Sequence, residues 1–254
     1  MKILAIGDII GEPGIKKMKE VLPNLIKEQG IDFVIANGEN SADGMGINKN
    51  TFGEIVCAGA NVVTLGNHTW AKKDVFNILD DAKIIRPANY PANTVGKGYS
   101  TYECRNKKIL VINLLGRVDM NVLTENPFLC IDEILKKEKA DIIIVDFHAE
   151  ATAEKIAMAY YLDGRVTVLF GTHTHVQTAD EKIMEKGTAY ITDIGMTGPE
   201  KSVIGMEVAS SLKRFVTSLP EKYKTAEGKS NFSGAVFEIN DETCRVEKIT
   251  RINL

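Results

Sequence analysis

The sequence has few cysteines, no long apolar run and no excess of positive charge, and each shortage argues against a class of protein. Four cysteines are spread over 254 residues without a C-x-x-C pair, which argues against a disulfide framework or a thiolate metal site. We interpret them as reduced packing residues. Lys and Arg total 31 against 34 Asp and Glu, and the net charge of −3 provides no field for extended duplex nucleic acid.

The longest apolar runs are also too short for a membrane span, which needs roughly 20 residues. The amino-terminal run meets an acid at Asp8 and has no small-x-small cleavage site, so it predicts a first β-strand and not a leader peptide. We therefore expect no membrane association and a cytoplasmic location. With 44% hydrophobic residues the chain can build a substantial core, and we expect a single domain over residues 1–254.

Three common catalytic signatures are missing. The chain has no G-x-S-x-G elbow and no Walker A sequence, and the glycines from Gly7 to Gly14 do not fit G-x-G-x-x-G. Acyl hydrolases, P-loop proteins and dinucleotide-binding proteins therefore lack their sequence anchors here.

Short runs rich in Ile and Val alternate with helical spacing, which predicts βαβ units whose strands are buried on both faces. The predicted buried strands are residues 2–7, 32–36, 61–65, 109–114, 141–146 and 166–170. The predicted helices are residues 15–28, 50–58, 72–79, 126–137 and 151–162. Five further segments look like strands of hairpins or meanders, namely 83–87, 98–105, 187–193, 232–239 and 244–252. We therefore expect an α/β fold with mixed sheets.

The polar residues that follow these strands are the main clue to function. The chain has four histidines, all just beyond predicted strands: His68, His148, His173 and His175. Two carboxylates and two amides reach similar positions: Asp8, Glu39, Asn40 and Asn67. Because ligands of α/β sheets bind outside the carboxyl ends of strands, we expect these side chains to converge on one rim.

Carboxylates, amides and imidazoles together suit divalent metals such as Mn, Fe, Zn or Co. This many ligands favours two ions, which a carboxylate such as that of Glu39 can bridge at a separation of about 3.5–4 Å. Two divalent cations less the charges of Asp8 and Glu39 leave about two positive charges. That surplus favours an anionic phosphoester substrate over a neutral acyl group.

Each residue alone has a simpler interpretation, and only the group carries the inference. A single histidine after a strand is usually structural. Asp8 could cap the following helix, and Asn40 and Asn67 could be left-handed turn residues. His173 and His175 would point the same way if their segment were extended, because side chains two residues apart share a face.

The order of these blocks resembles the calcineurin-like metallophosphoesterase superfamily. The blocks are Gly7-Asp8, Gly38-Glu39-Asn40, Gly66-Asn67-His68, His148 and Gly171-Thr172-His173-Thr174-His175. The superfamily usually has Asp-x-His first and Gly-Asp second, whereas this chain has Ile10 and Glu39 at those positions. These two departures are typical of one branch, the bacterial YmdB-type 2′,3′-cyclic nucleotide phosphodiesterases. Longer sequence blocks that are similar to this branch run along nearly the whole chain.

The resemblance implies a four-layer α/β/β/α sandwich of two mixed sheets and two metal ions, usually iron or manganese. It assigns Asp8, Glu39, Asn40 and His175 to one ion, and it assigns Glu39, Asn67, His148 and His173 to the other. His68 would bind neither ion and would act as general acid while a metal hydroxide attacks phosphorus. The expected product is a nucleoside 3′-monophosphate, and the resemblance also leaves a homo-oligomer open.

Two other functions remain open at this point. A similar bimetal core can cleave phosphomonoesters, so a phosphatase or phosphodiesterase of broader specificity is one alternative. The second is a metal-bound nucleotide sensor or regulatory scaffold whose turnover is incidental. A proton donor such as His68 favours catalysis, because binding alone does not need one.

Overall fold

Fifteen strands and five α-helices make up the chain, which the computed structural model describes from Met1 to Leu254. The strands of the first half are β1 (Lys2–Ile6), β2 (Asp8–Ile9), β3 (Phe33–Asn37), β4 (Val62–Thr64), β5 (Ile84–Ile85), β6 (Tyr99–Cys104) and β7 (Lys107–Leu115). Those of the second half are β8 (Ile142–His148), β9 (Val168–Thr172), β10 (Lys182–Ile183), β11 (Ala189–Ile191), β12 (Met196–Pro199), β13 (Ser230–Asn231), β14 (Ser233–Ile239) and β15 (Val246–Asn253). The helices are α1 (Gly11–Gln29), α2 (Lys49–Ala58), α3 (Pro127–Lys137), α4 (Thr152–Leu162) and α5 (Val208–Thr217).

The strands form two six-stranded mixed sheets and one small sheet. The first large sheet has the order β15-β14-β1-β3-β4-β5, in which β1, β3, β4 and β5 run parallel. The second has the order β10-β11-β9-β8-β7-β6, in which β11, β9, β8 and β7 run parallel. The small sheet pairs β2 with β12 and β12 with β13. The expected mixed α/β fold is confirmed.

Alternation along the central strands shows why the sequence forms stacked layers. In β1, Ile3 and Ala5 pack into the core between the two large sheets, whereas Leu4 and Ile6 pack against α1 and α2 on the other face. Successive side chains of a strand point to opposite faces, so a continuous apolar run fills two cores at once.

The three apolar cores define four layers. One core joins α1 and α2 to the first sheet, the second joins the two sheets, and the third joins α3 and α4 to the second sheet. The expected α/β/β/α sandwich is therefore observed. None of the helices combines the length and apolar character that a membrane span requires.

Several local predictions are wrong. Residues 72–79 form only a short 3₁₀ helix over Lys73–Asn77. Residues 83–87 supply β5, which pairs parallel with β4 and not in a hairpin. Residues 187–193 supply β11, which forms the expected hairpin with β10 but also pairs parallel with β9. A connection that crosses over the sheet returns the chain in the parallel direction, which local sequence spacing does not reveal. Helix α5 and the small sheet have no counterpart among the predicted elements, and Cys57 is exposed instead of packed.

Candidate metal centre

All eight side chains expected at the strand ends lie on one rim, where the carboxyl ends of both large sheets meet. Asp8 begins β2, while Glu39 and Asn40 follow β3. Asn67 and His68 follow β4. His148 ends β8, and His173 and His175 follow β9. The His173 amide donates to Asp8 Oδ2 at 3.1 Å, so the cluster joins the two sheets directly.

One half of the cluster converges on His148 Nε2. Glu39 Oε1 and Asn67 Oδ1 each lie 2.9 Å from this nitrogen, and His173 Nδ1 lies 3.0 Å from it. A single ring nitrogen carries at most one proton, which cannot satisfy three neighbours that offer lone pairs. Ligand atoms of Glu39, His148 and His173 all lie within 4.8 Å of one another, a separation that one cation can span.

The other half of the cluster surrounds Asp8 Oδ1. His175 Nε2 lies 3.7 Å from this oxygen and 3.3 Å from Asn40 Nδ2. The Asn40 amide therefore directs its nitrogen to His175, whereas its oxygen contacts His68. An amide binds cations through oxygen, so Asn40 fits the expected ligand role only with its amide turned by half a rotation.

Each imidazole near these carboxylates has an inner nitrogen, which faces the cluster, and an outer nitrogen, which faces away from it. Each outer nitrogen has a hydrogen-bond partner outside the cluster. His148 Nδ1 lies 2.9 Å from Thr172 Oγ1, and His175 Nδ1 donates to the Ile204 carbonyl at 2.9 Å. His173 Nε2 lies 3.0 Å from Glu150 Oε2. Outer partners of this kind fix the tautomer and leave the inner nitrogen free to bind a metal.

The partner of His148 belongs to a buried chain of hydrogen bonds. Thr172 Oγ1 donates to Asp146 Oδ1 at 2.7 Å, so it accepts the proton of His148 Nδ1. Asp146 Oδ2 accepts from Thr64 Oγ1 at 2.5 Å. Burial raises the pKa of Asp146 to about 6, although the two threonine hydroxyls oppose that rise. This chain of hydrogen bonds orients the His148 ring from the interior of the protein.

The two carboxylates of the cluster are buried and lack enough donors. Asp8 Oδ1 and Glu39 Oε1 accept no hydrogen bond from a well-placed donor, and Glu39 Oε1 lies 2.9 Å from His148 Nε2 in an ion-pair contact. Buried carboxylate oxygens left in this way require a cation. The donor set of carboxylate, imidazole and amide therefore fits one or more divalent metal ions.

The pKa values in the cluster reflect the same demand for positive charge. Burial alone would raise the pKa of Glu39, but the charge of His148 and the amide of His68 lower it to about 2. Burial alone would lower the pKa of His148, but the charges of Glu39 and Asp8 raise it to about 9. Burial and the charge of His148 lower the pKa of His173 to about 3, and burial raises that of Asp8.

His68 lies at the edge of the cluster and is 31% exposed. Its amide donates to Glu39 Oε2 at 2.9 Å, and its Nδ1 lies 2.7 Å from Asn40 Oδ1 and 3.6 Å from Glu39 Oε1. No protein group hydrogen-bonds its Nε2, so this nitrogen is available to a ligand.

The simpler interpretations of several residues are wrong. Helix α1 has Ile10 at its N-cap and no side-chain cap, because the Asp8 carboxylate binds the His173 amide instead. Asn40 and Asn67 do not have positive φ. The segment of His173 and His175 is not extended, since the two residues have φ of 96° and 66°. The imidazoles meet through a tight turn and not through strand alternation.

Sequence reasoning missed the residues that hold the ligands in place. Among them, Asp146 carried a usable signal, because it is an acid inside the apolar strand β8. Glu150 follows His148 by two residues but gave no signal that it contacts His173. The partners of the remaining ligands depend on packing between the sheets.

The fold and the site together define a calcineurin-like metallophosphoesterase, a class of phosphoric-ester hydrolases. The fold alone is similar to a Staphylococcus aureus structure described as a 5′-nucleotidase, with a TM-score of 0.65, 15% identity, and coverage of 99% of this chain and 54% of that one. Within this class, a family model described as YmdB-like protein matches residues 4–252. The chain belongs to the YmdB-like family, which confirms the resemblance found in the sequence.

Relatives of this chain are similar over nearly their whole length. A Bacillus subtilis (strain 168) protein named 2′,3′-cyclic-nucleotide 2′-phosphodiesterase is 46% identical over 255 residues, covering 99% of this chain and 96% of that protein. A crystal structure of a phosphatase from Mycoplasma pneumoniae has a TM-score of 0.96 and 37% identity, covering 100% of this chain and 93% of that one.

Proposed function

We propose that this protein is a dinuclear metal-dependent phosphodiesterase that hydrolyses 2′,3′-cyclic nucleotides to nucleoside 3′-monophosphates. The observation that carries the proposal is the arrangement of three imidazoles. Each has one nitrogen bonded outward and the other directed toward the buried carboxylates Asp8 and Glu39. The name of the Bacillus subtilis relative supports the choice of substrate.

The residues divide into two ligand groups that share Glu39. One ion would be held by Asp8, Glu39, Asn40 and His175, and the other by Glu39, Asn67, His148 and His173. Iron or manganese suits these oxygen and nitrogen donors. When bound, the two ions polarise the phosphoryl group and lower the pKa of water toward neutrality.

His68 would supply the proton that the leaving oxygen needs. Its Nδ1 faces the side-chain amide of Asn40, so Nε2 is the ring nitrogen left to face a ligand. Protonated His68 would donate from Nε2 to the ribose 2′ oxygen as the bond from phosphorus to that oxygen breaks. Water supplies the hydroxyl group that phosphorus gains and releases its other proton to solvent. Because the 2′ oxygen is the one that leaves, the product is the 3′-monophosphate.

Two variants separate metal binding from proton transfer. Replacing Glu39 by Gln removes the carboxylate that both ligand groups share, so we expect metal content to fall with activity. His68→Ala should keep the metal content and lose about 10²- to 10⁴-fold in turnover, the usual contribution of a general acid. Elemental analysis alongside kinetics measures both effects. A fully active His68→Ala protein would exclude the acid role.

Substrate preference distinguishes the proposal from a broader phosphatase, which the description of the Mycoplasma pneumoniae relative favours. The manganese-loaded protein should be assayed with a nucleoside 2′,3′-cyclic phosphate, bis(4-nitrophenyl) phosphate and a nucleoside 3′-monophosphate. We expect the highest kcat/KM with the cyclic substrate, and a 3′-monophosphate as the product in ³¹P NMR. A higher value with the monoester would support the phosphatase. Tight ligand retention with negligible turnover would support a nucleotide sensor.

The proposed partner is a small nucleotide and not extended duplex nucleic acid, for which the net charge of −3 provides no attraction. Assembly into a homo-oligomer stays a prediction, and sedimentation equilibrium measures it.

A further inference from the structure

The turn that carries two of the histidines has an unfavourable backbone. His173 and His175 have φ of 96° and 66°, in the left-handed region that residues with a Cβ rarely adopt. Such conformations persist only where surrounding contacts impose them. Thr174 lies between the two histidines, and its contacts therefore control both rings.

Asp193, which follows β11, binds Thr174 twice. Its Oδ2 accepts the Thr174 amide at 3.1 Å and the Thr174 hydroxyl at 2.7 Å. Its Oδ1 accepts the Gly195 amide at 2.8 Å. The carboxylate thus ties the turn to the segment between β11 and β12.

Lys155 of α4 completes this contact from the opposite side. Its Nζ lies 2.8 Å from Asp193 Oδ2, and the two side chains are 1% and 0% exposed. Asp193 is the sole acidic partner of Lys155. A buried ion pair of this kind adds little net stability over apolar residues, but it holds its two partners in one geometry.

We infer that Asp193, held by Lys155, is a positioning residue that fixes the His173-Thr174-His175 turn so that both imidazoles face the carboxylates. It contacts no inner nitrogen of the cluster, and its hydrogen bonds to the turn go to Thr174. The inference rests on the proposed function, because the positioned rings matter as metal ligands. Glu150 and the Ile204 carbonyl set the rotation of each ring, whereas Asp193 sets the backbone from which both rings project.

The test measures manganese affinity of the full chain by titration calorimetry after chelation and removal of the chelator. Asp193→Asn should weaken binding about 10- to 100-fold, the usual effect of losing a partner of the ligand shell. Thr174→Val, which deletes only the hydroxyl contact, should weaken binding several-fold while the metal-free protein stays folded, with a melting temperature lowered by the loss of one hydrogen bond. Thr174→Ser keeps the hydroxyl and should retain the affinity.

Two control variants remove similar interactions elsewhere. Thr167 Oγ1 accepts the Ile143 amide at 3.1 Å, beyond the opposite end of β9, so Thr167→Val should leave the affinity unchanged. Arg165 pairs with Asp132 on the outer helical layer, and Arg165→Met should likewise leave it unchanged even if the melting temperature falls.

The outcomes separate this inference from the proposed function. Unaltered manganese affinity in Thr174→Val and Asp193→Asn, with normal binding by the unchanged protein, would overturn the positioning role alone. If Asp193→Asn does not fold, the manganese affinity of Thr174→Val alone tests the positioning role. Lack of manganese binding by the unchanged protein would overturn the metal site and the positioning role together.

Discussion

A histidine in this cluster can bind a metal only if its outer nitrogen keeps the ring proton. The Thr172 hydroxyl, the Glu150 carboxylate and the Ile204 carbonyl each accept that proton in a hydrogen bond from one ring and so keep it on the outer nitrogen. The inner nitrogens then carry lone pairs directed at the cluster. Single hydrogen bonds outside the cluster therefore determine its affinity for cations.

Glu150 allows a direct test of this arrangement, because its side chain is half exposed and its removal should not disturb the core. Glu150→Ala should weaken metal binding about 10- to 100-fold, since His173 loses the acceptor that fixes its tautomer. Glu150→Gln keeps an acceptor oxygen and should bind metal nearly as well as the unchanged protein. Equal affinities in calorimetric titrations of all three proteins would contradict this role of Glu150.

The Glu39 and His148 pair predicts how the stability of chelator-treated protein depends on pH. The pKa of His148 rises from about 6.5 in the unfolded chain to about 9, so its contribution is complete below pH 6.5 and is lost as the pH rises through 9. The pKa of Glu39 falls to about 2, so its contribution is complete above about pH 4.3 and is lost only near pH 2. We expect the free energy of unfolding to decrease between pH 6.5 and 9.

Urea denaturation at several pH values measures this decrease, and His148→Gln provides the control. The variant lacks the titrating imidazole, so the difference in stability between the two proteins should shrink as the pH rises from 6.5 to 9. A difference that grows over this range would show that His148 is not held as a cation by the two carboxylates.

At the residue scale, the convergence of the candidate ligands at the strand ends could be predicted, but the partners that support them could not. Glu39, His68 and His148 follow apolar runs, and the ends of parallel strands meet at one edge whatever the details of packing. The contact of Thr172 with Asp146 depends on side-chain packing within the second sheet. Sequence spacing carries no information about such contacts between chain segments.

At the scale of elements, the turn after β4 is shaped by the need to pass close to the cluster. A Cβ on Gly66 would lie 2.4 Å from Glu39 Oε2 and 2.4 Å from His148 Nε2, far inside contact distance. Glycine at this position lets the backbone approach two proposed ligands while it presents Asn67 and His68.

Gly66→Ala should therefore displace Glu39 or His148 and abolish tight metal binding. Gly53→Ala is a matched control, because Gly53 lies inside α2 and a Cβ there would meet nothing within 4 Å. The control should keep its metal affinity and gain about 0.5–1 kcal/mol of stability, since alanine favours helix over glycine. Metal titration and thermal unfolding of both variants give these values, and normal metal affinity in Gly66→Ala would show that the turn can move away.

The sequence predicted long apolar elements better than short or exposed ones. Strands such as β1 and β8 are buried on both faces, so their continuous Ile and Val runs stand out. Strands β2 and β13 have two residues each and no pattern of their own. Helix α5 is different, because its apolar residues do follow helical spacing, as at Leu212, Phe215 and Val216. Its signal was therefore present in the sequence and was missed, although this face lies in solvent, with Phe215 76% exposed.

At the scale of the whole molecule, the candidate metal centre depends on how the two large sheets face each other. The core between them takes Ile3 and Ile35 from the first sheet and Ile144 and Phe170 from the second. Asp8, Glu39 and His148 are brought together only when this core is complete. We propose that the chain folds as one domain for this reason.

One cooperative unit predicts a single unfolding transition. Trp70 lies near the first sheet and reports on it by fluorescence, whereas far-ultraviolet circular dichroism reports on all the helices and strands. The two signals should give the same midpoint in urea, as expected for two-state unfolding. Separate midpoints would show that the layers unfold independently, and the single-domain prediction would then be wrong.

We propose that side chains from both sheets hold a pair of cations at the rim where the strand ends meet. Anomalous diffraction at the manganese edge, from crystals of manganese-loaded protein, tests this most directly because it locates the ions. We expect two peaks about 3.5–4 Å apart, with Glu39 between them, His175 beside one and His148 beside the other. Crystals from fully loaded protein with no peak among these residues would contradict the account.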